Sequence, residues 1–332
     1  MKRVFSRLPI DGFLLAIIIT AVVASFLPAR GTWVDVFDGL TTFAIALLFF
    51  LYGARLSPQE TLAGLKHWRL HVTILSFTYI VFPLIGLAAV FLTRDVLDPG
   101  LASGLLYLSL VPSTVQSSIA FTSIAKGNVA GAVVSASASN ILGVFLTPLL
   151  VWALMTSSGR VAFTTSTIVE IFAQLLLPFV LGQLSRRWTA GFVAAHPQLK
   201  LVDRTSIILV VYSAFSAGIR EGMWSQTSWP ALVVLVAVLL VILTLMLSLT
   251  WWMAGRLGFN RADAIAIQFC GTKKSLASGL PMAGVLFAGA PVGLLMLPLM
   301  LFHQAQLMAC SALAARYGRQ AELVEGDAGS PA

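Results

Sequence analysis

The stretch Gln268-Phe269-Cys270-Gly271-Thr272-Lys273-Lys274-Ser275 lies in the middle of an apolar run over residues 264–286. About 20 mostly apolar residues cross a bilayer, and the run otherwise reads as one such crossing. An ammonium at the centre of a span costs on the order of 3 kcal/mol. Two adjacent lysines cannot both reach one interface from there. Adjacent helical residues point about 100° apart, so Lys273 and Lys274 are expected to do different jobs. One would face a binding site and the other a water-filled path or cavity. A plain loop between two separate spans is the competing reading, but Ser275 to Phe287 is too short to cross alone. The helix is therefore expected to break inside the membrane.

The run 100–125 carries a second break, Val111-Pro112-Ser113-Thr114-Val115-Gln116-Ser117-Ser118. Pro112 removes a backbone donor and clashes with the preceding turn. Carbonyls freed in lipid cost several kcal/mol each unless protein, water or an ion satisfies them. The polar residues at 113, 114, 116, 117, 118 and 122 can supply that, in a cluster denser than the repair of one kink requires.

The rest of the chain agrees with a lipid solvent. Of 332 residues, 58% are apolar and 10% charged, against about 25% charged in soluble domains. Two cysteines, Cys270 and Cys310, make neither a disulfide framework nor a zinc cluster. Apolar runs fall near 11–27, 36–53, 70–92, 100–125 and 128–155, then near 164–184, 206–219, 230–254, 264–286 and 292–315. That predicts an all-α polytopic membrane protein with ten transmembrane helices.

The net charge of +8 reflects loop bases, not a nucleic-acid surface. With the N-terminus in the cytoplasm, only Arg30, Arg94, Arg160 and Arg220 among the loop bases fall outside. The positive-inside rule then places both termini in the cytoplasm. The run after Met1-Lys2-Arg3 reads as a retained first span rather than a signal peptide, and residues 320–332 as a disordered cytoplasmic tail.

Five spans per half force the halves into opposite orientations. Leu27-Pro28 recurs as Leu177-Pro178 and Pro148-Leu149 as Pro298-Leu299. More telling, the fourth span of each five is the broken one. The expected organisation is a single transporter domain over 8–319, with repeats 11–155 and 164–316 inverted and discontinuous helices 4 and 9 crossing. This pattern marks secondary transporters with a site near the midplane.

Further candidates lie in the fifth and tenth spans. Ser135 and Ser139 share a helix face, with Ser137 and Asn140 on another. Small residues at that spacing also serve close helix packing, so Asn140 is the better ligand. His303, Gln304 and Gln306 sit within the last span, where His303 can relay protons or make a structural hydrogen bond. His67 and His71 have metal-compatible spacing but no third ligand. Nucleotide loops, HExxH and Gly-x-Ser-x-Gly elbows are absent, which argues against an enzyme.

Four blocks together resemble the bile acid:sodium symporter family, in its divergent SBF-like branch, from about residue 8 to 319. They are Leu47-Leu48-Phe49-Phe50-Leu51-Tyr52-Gly53-Ala54, Pro112 through Ser118, Gly127-Asn128-Val129-Ala130, and Phe269 through Leu276. The resemblance implies a panel of helices 1, 2, 6 and 7 and a core of helices 3–5 and 8–10, with substrate in the cleft between them and alternating access by their relative motion. The candidate binding residues are then Thr114, Gln116, Ser117, Ser118, Asn128, Ser135, Ser139, Asn140, Gln268, Thr272, Lys273, Lys274, Ser275, His303 and Gln304, read from the polar groups inside the spans and from these blocks together.

The family's sodium positions transfer poorly. Its acidic residue in the ninth helix becomes Phe269, its glutamine and asparagine become Lys273 and Lys274, and a third-span glutamine becomes Thr78. A Na+ site is carried over only to the neighbourhood of Ser117, Ser118 and Ser135. A lysine ammonium is expected to replace one sodium, held by freed carbonyls and by the hydroxyls of Ser117, Ser118 and Thr272.

The function expected is secondary active transport of a small organic anion in the bacterial inner or plasma membrane, with the lipid bilayer as a further partner, no nucleic acid, and little or no stimulation by sodium. No organic cofactor is expected, with Na+ or H+ as the coupling ion. The alternative is a non-transporting membrane regulator or scaffold that retains the fold.

Overall fold

The computed structural model describes residues 12–55, 67–156, 169, 171–220, 222, 227–288 and 292–328. In chain order the helices are α1 (Gly12–Phe26), α2 (Thr32–Arg55), α3 (Trp68–Leu92), α4 (Pro99–Leu110), α5 (Gln116–Ile124) and α6 (Val129–Val151). There follow α7 (Leu177–Ala195), α8 (Lys200–Arg220), α9 (Trp229–Arg256), α10 (Arg261–Thr272), α11 (Leu276–Leu286) and α12 (Val292–Ala328).

Among the described residues every regular element is helical, and α2, α3, α6, α8, α9 and α12 are each long and apolar enough to cross a membrane. Exposed apolar side chains include Val233, Leu240 and Val241 on α9, and Leu181 and Leu184 on the neighbouring helix α7. Exposed apolar side chains in such number suit a lipid solvent. The polytopic membrane class expected from composition is what the structure has.

Two groups of helices pack among themselves. In the first, α2 lies along α7, and α8 packs on both α1 and α2. Glycines permit the α2–α7 approach: a Cβ on Gly53 would overlap the Phe179 carbonyl, and one on Gly182 the Phe50 carbonyl. Small residues at membrane helix interfaces let backbones come this close. In the second group α12 packs on α4, α5, α9 and α11, and α10 packs on α3, α5, α6 and α9. Contacts between the groups run mainly through α8 against α11 and α12.

Both expected breaks are present. Helix α4 ends at Val111, whose backbone is extended (φ −77°, ψ 156°), and α5 restarts at Gln116. Helix α10 ends at Lys273, also extended (φ −83°, ψ 150°), and α11 restarts at Leu276 with Ser275 as its cap. The two extended segments cross and bond. Ser275 N donates to the Pro112 carbonyl at 2.8 Å, and the Ser113 hydroxyl to the Cys270 carbonyl at 2.6 Å.

Some boundaries differ from expectation. The short run 206–219 is part of a longer helix beginning at Lys200, because Asp203 pairs with Arg55 and anchors that polar turn. Much of the expected run 164–184 lies outside the described residues. Helix α12 continues to Ala328, into the stretch expected to be disordered; Gln320-Ala321-Glu322-Leu323 consists of good helix formers.

Candidate functional site

The two lysines of the second break have parted. Both are fully buried. Lys274 Nζ donates to the carbonyls of Thr78 (2.9 Å), Ser109 (2.7 Å) and Val111 (2.8 Å), and lies 4.3 Å from the centre of the Phe82 ring. Three carbonyls use all three donors of an ammonium.

Two prolines explain why these carbonyls are free. In α3 a π-type turn over Phe77–Val81 has Phe82 N–H bonded to the Phe77 carbonyl. The next donor in that register would come from position 83. Pro83 has no N–H, so the Thr78 carbonyl is left over. In α4 the break after Pro112 takes the donors at 113 and 115 out of helical register: Ser113 N instead donates to the Ser139 hydroxyl at 3.0 Å. This releases the carbonyls of Ser109 and Val111.

Lys273 reaches the other way. Its Nζ sits 3.9 Å from the Phe121 ring centre and 5.6 Å from that of Phe269, with no hydrogen-bond acceptor among the described residues. Neither lysine lines the cleft, contrary to the expectation that one would. The ammonium that takes freed carbonyls is that of Lys274, and its partners do not include the hydroxyls of Ser117, Ser118 or Thr272.

Long amide side chains repair the rest of the crossing. Gln306 on α12 accepts from Lys274 N and donates to the Lys274 carbonyl, both at 2.8 Å. Asn140 on α6 donates to the Ser113 carbonyl at 2.8 Å and accepts from the Ser278 hydroxyl at 2.6 Å. The Thr147 hydroxyl takes the Leu110 carbonyl at 2.9 Å.

Beside this crossing lies a cleft of about 450 Å³ between the two helix groups, within the usual range for a small-molecule site. Thr114, Gln116 and Ser117 at the start of α5, Asn140 on α6, Ser275 and Ser278 at the start of α11, and His303 on α12 line one wall. Tyr52, Arg55, Phe179, Asp203 and Arg204 line the other. Arg55 is held by Asp203 at 2.5 Å and by the Leu199 carbonyl at 3.0 Å, while the Arg204 guanidinium lies over Phe13 at 5.5 Å.

First-turn N–H groups of a helix have no intrahelical acceptors and attract negative charge. Helices α5 and α11 both begin at this cleft. Paired helix starts, hydroxyls, two arginines and the Asp203 carboxylate thus share its lining.

Thus Thr114, Gln116, Ser117, Asn140, Ser275 and His303 come together on the cleft. The other candidates do not line it. Ser118 is buried against Thr114 (2.8 Å) and the Phe269 carbonyl (3.3 Å). Ser139 braces the first break, and Thr272 meets Thr250 at 3.3 Å. Gln268 donates to the Leu247 carbonyl at 2.9 Å, and Gln304 is partly buried on α12. Asn128 caps α6 and donates to Asp263 at 2.7 Å, near His67.

Ser117 and Ser118 share one partner, the Thr114 hydroxyl (2.9 and 2.8 Å), whereas Ser135 bonds His71 at 2.6 Å, so the three hydroxyls expected around a sodium ion fall into two hydrogen-bond sets. Residues 264–321 contain no Asp or Glu, and the freed carbonyls already hold an ammonium. The place beside those carbonyls is taken by the Lys274 side chain.

Sequence reasoning left Tyr52, Arg55, Asp203, Arg204 and Ser278 out of the site. The arginines read as ordinary loop bases, and only folding turns them toward the cleft.

Comparisons with known proteins identify the family. The model of the SBF-like CPA transporter family matches residues 11–319. A Pseudomonas aeruginosa protein named "Uncharacterized protein PA2026" is 51% identical over 311 residues, 93% of each chain. "Putative symporter YfeH" of Escherichia coli K12 is 48% identical over 324 residues, 97% of each chain. Sodium/bile acid cotransporter 7 of Rattus norvegicus is 30% identical over 319 residues, 94% of this chain and 93% of its own. With a family match across almost its entire length, this chain belongs to the SBF-like CPA transporter family.

Proposed function

We propose that this protein moves a small organic anion across the bacterial inner membrane by alternating access, without sodium. In this reading ten spans form two inverted repeats, both termini are cytoplasmic, and the α1, α2, α7, α8 group rocks against the rest. The carrying observation is that both broken helices restart at one cleft, so the positive ends of two helix dipoles meet where a solute would sit. Arg204 adds positive charge at the far wall, while Asp203 neutralises Arg55. Lys274 supplies inside the crossing the positive charge that a coupling sodium would bring. A tethered ammonium cannot leave with the solute, so it replaces sodium's structural role and not its transport.

The test is a thermal-shift screen of the purified protein with taurocholate, benzenesulfonate and 2-oxoglutarate, in sodium chloride and in choline chloride. Stabilisation by at least one anion, equal in both salts and lost in Gln116→Ala, is the expected result. Stabilisation that requires sodium overturns the sodium-free reading. A flat response to all three anions, with no uptake of any into proteoliposomes, favours a non-transporting protein.

A further inference from the structure

Lys273 is a buried charge-bearing group that the crossing does not use. Its side chain enters a small apolar cluster separate from the main core, made by Ala125, Phe269, Cys310 and Ala314 with Phe121 packed against it. Around Nζ stand the rings of Phe121 from α5 and Phe269 from α10. The titratable groups around it are the thiols of Cys270 on α10 and Cys310 on α12, with the Tyr317 phenol packed on the same cluster, and no carboxylate joins them among the described residues.

This setting accommodates either form of the amine. An aromatic face attracts an ammonium, and with no acceptor to leave stranded, the neutral amine forfeits no hydrogen bond. Lys274 differs on each count, since its three donors are committed to three carbonyls.

We infer that Lys273 is the proton-exchanging group of the transport cycle, taking up and releasing one proton per turn while Lys274 stays charged. The inference rests on the anion-transport reading above. The step breaks and re-forms one N–H bond: the ammonium gives a proton to water on one side of the membrane, and the resulting amine takes one from water on the other. Opposite charges attract through the low-dielectric crossing, so a bound anion favours the protonated amine and the protonated amine favours the anion. Linkage is reciprocal, which makes the cycle a proton–anion symport.

Solid-state NMR on protein carrying 15Nζ-lysine in phosphatidylcholine vesicles tests this from about pH 5 to about pH 10. The signal missing from Lys273→Met is expected to pass between ammonium and amine positions within that range. The signal missing from Lys274→Gln is expected to remain ammonium throughout. Where Lys273→Met folds poorly, Lys273→Arg removes the same signal while keeping a charge.

A Lys273 signal fixed in one form overturns the inference, whatever the transport assays give. In pyranine-loaded vesicles, adding taurocholate, benzenesulfonate and 2-oxoglutarate together is expected to acidify the lumen with wild-type protein and not with Lys273→Met. Anion uptake without acidification overturns the inference while leaving anion transport standing. Absence of uptake beside a titrating Lys273 signal overturns anion transport instead.

Discussion

The Lys274 ammonium donates to the Val111 carbonyl at 2.8 Å, so a residue of one helix break closes the other. The bond runs in the same sense as the backbone bond from Ser275 N to the Pro112 carbonyl. Charge on one extended segment thereby neutralises the exposed dipoles of its counterpart, and the crossing holds without an ion.

Removing that charge strands three buried carbonyls. Lys274→Ala is expected to cost about 3–5 kcal/mol, as for one partner lost from a buried charged network. The vacated oxygen cage is then open to a small hard cation. Melting curves in sodium and in choline chloride should show sodium rescue in Lys274→Ala and none in wild type. Equal melting of the variant in both salts would refute the cage.

Gln306 closes the Lys274 backbone with two hydrogen bonds at once. Gln306→Leu fills similar volume but leaves a buried N–H and a buried carbonyl unpaired, at about 1–3 kcal/mol each. A lowered melting temperature and a loss of solute binding are expected together. Unchanged binding in Gln306→Leu would show that the second break does not depend on this amide.

Asn140 ties the first break to the start of α11 through Ser113 and Ser278. Asn140→Leu removes both ties while adding apolar bulk to the cleft wall. Anion-induced thermal stabilisation should fall by more than tenfold in apparent affinity, equivalent to about 1.4 kcal/mol or more. Asn140→Asp keeps the acceptor for Ser278 but places a negative charge beside the anion, and should bind still more weakly.

The α2–α7 contact depends on close approach of the two backbones. A side chain at Gly182 meets the Phe50 carbonyl. Gly182→Leu must push the helices apart and should cost about 1–3 kcal/mol or more. Gly191, further along α7 with open space around its would-be Cβ, is the control, and Gly191→Ala should leave the melting temperature unchanged or slightly raised.

Arg204 is the cleft arginine not held by Asp203. Arg204→Gln should weaken anion binding in low salt more than in high salt, because screening shortens the reach of exposed charge. Binding curves at two ionic strengths check this, and a salt-independent loss would assign Arg204 a packing role against Phe13.

Much of the architecture was legible from local chemistry. Pro112 and the adjacent lysines announce two helix breaks inside apolar runs, and both are where the residues put them. Of the polar cluster after Pro112, Thr114, Gln116 and Ser117 line the cleft. Less legible was the tail: the helix runs on past Gln320 because good helix formers extend it beyond the membrane.

Composition and pattern alone decided the solvent, the helical class and the two interruptions, because the costs of burying charge and losing backbone bonds are local. Which lysine fills the carbonyl cage was a tertiary matter. Thr78 stands 196 positions from Lys274, and its carbonyl is free only because a proline follows a widened turn. The same holds for Arg55 and Arg204, which read as loop bases until helix packing turns them toward the cleft. Such pairings depend on which distant segments meet, and no window of neighbouring residues contains that information.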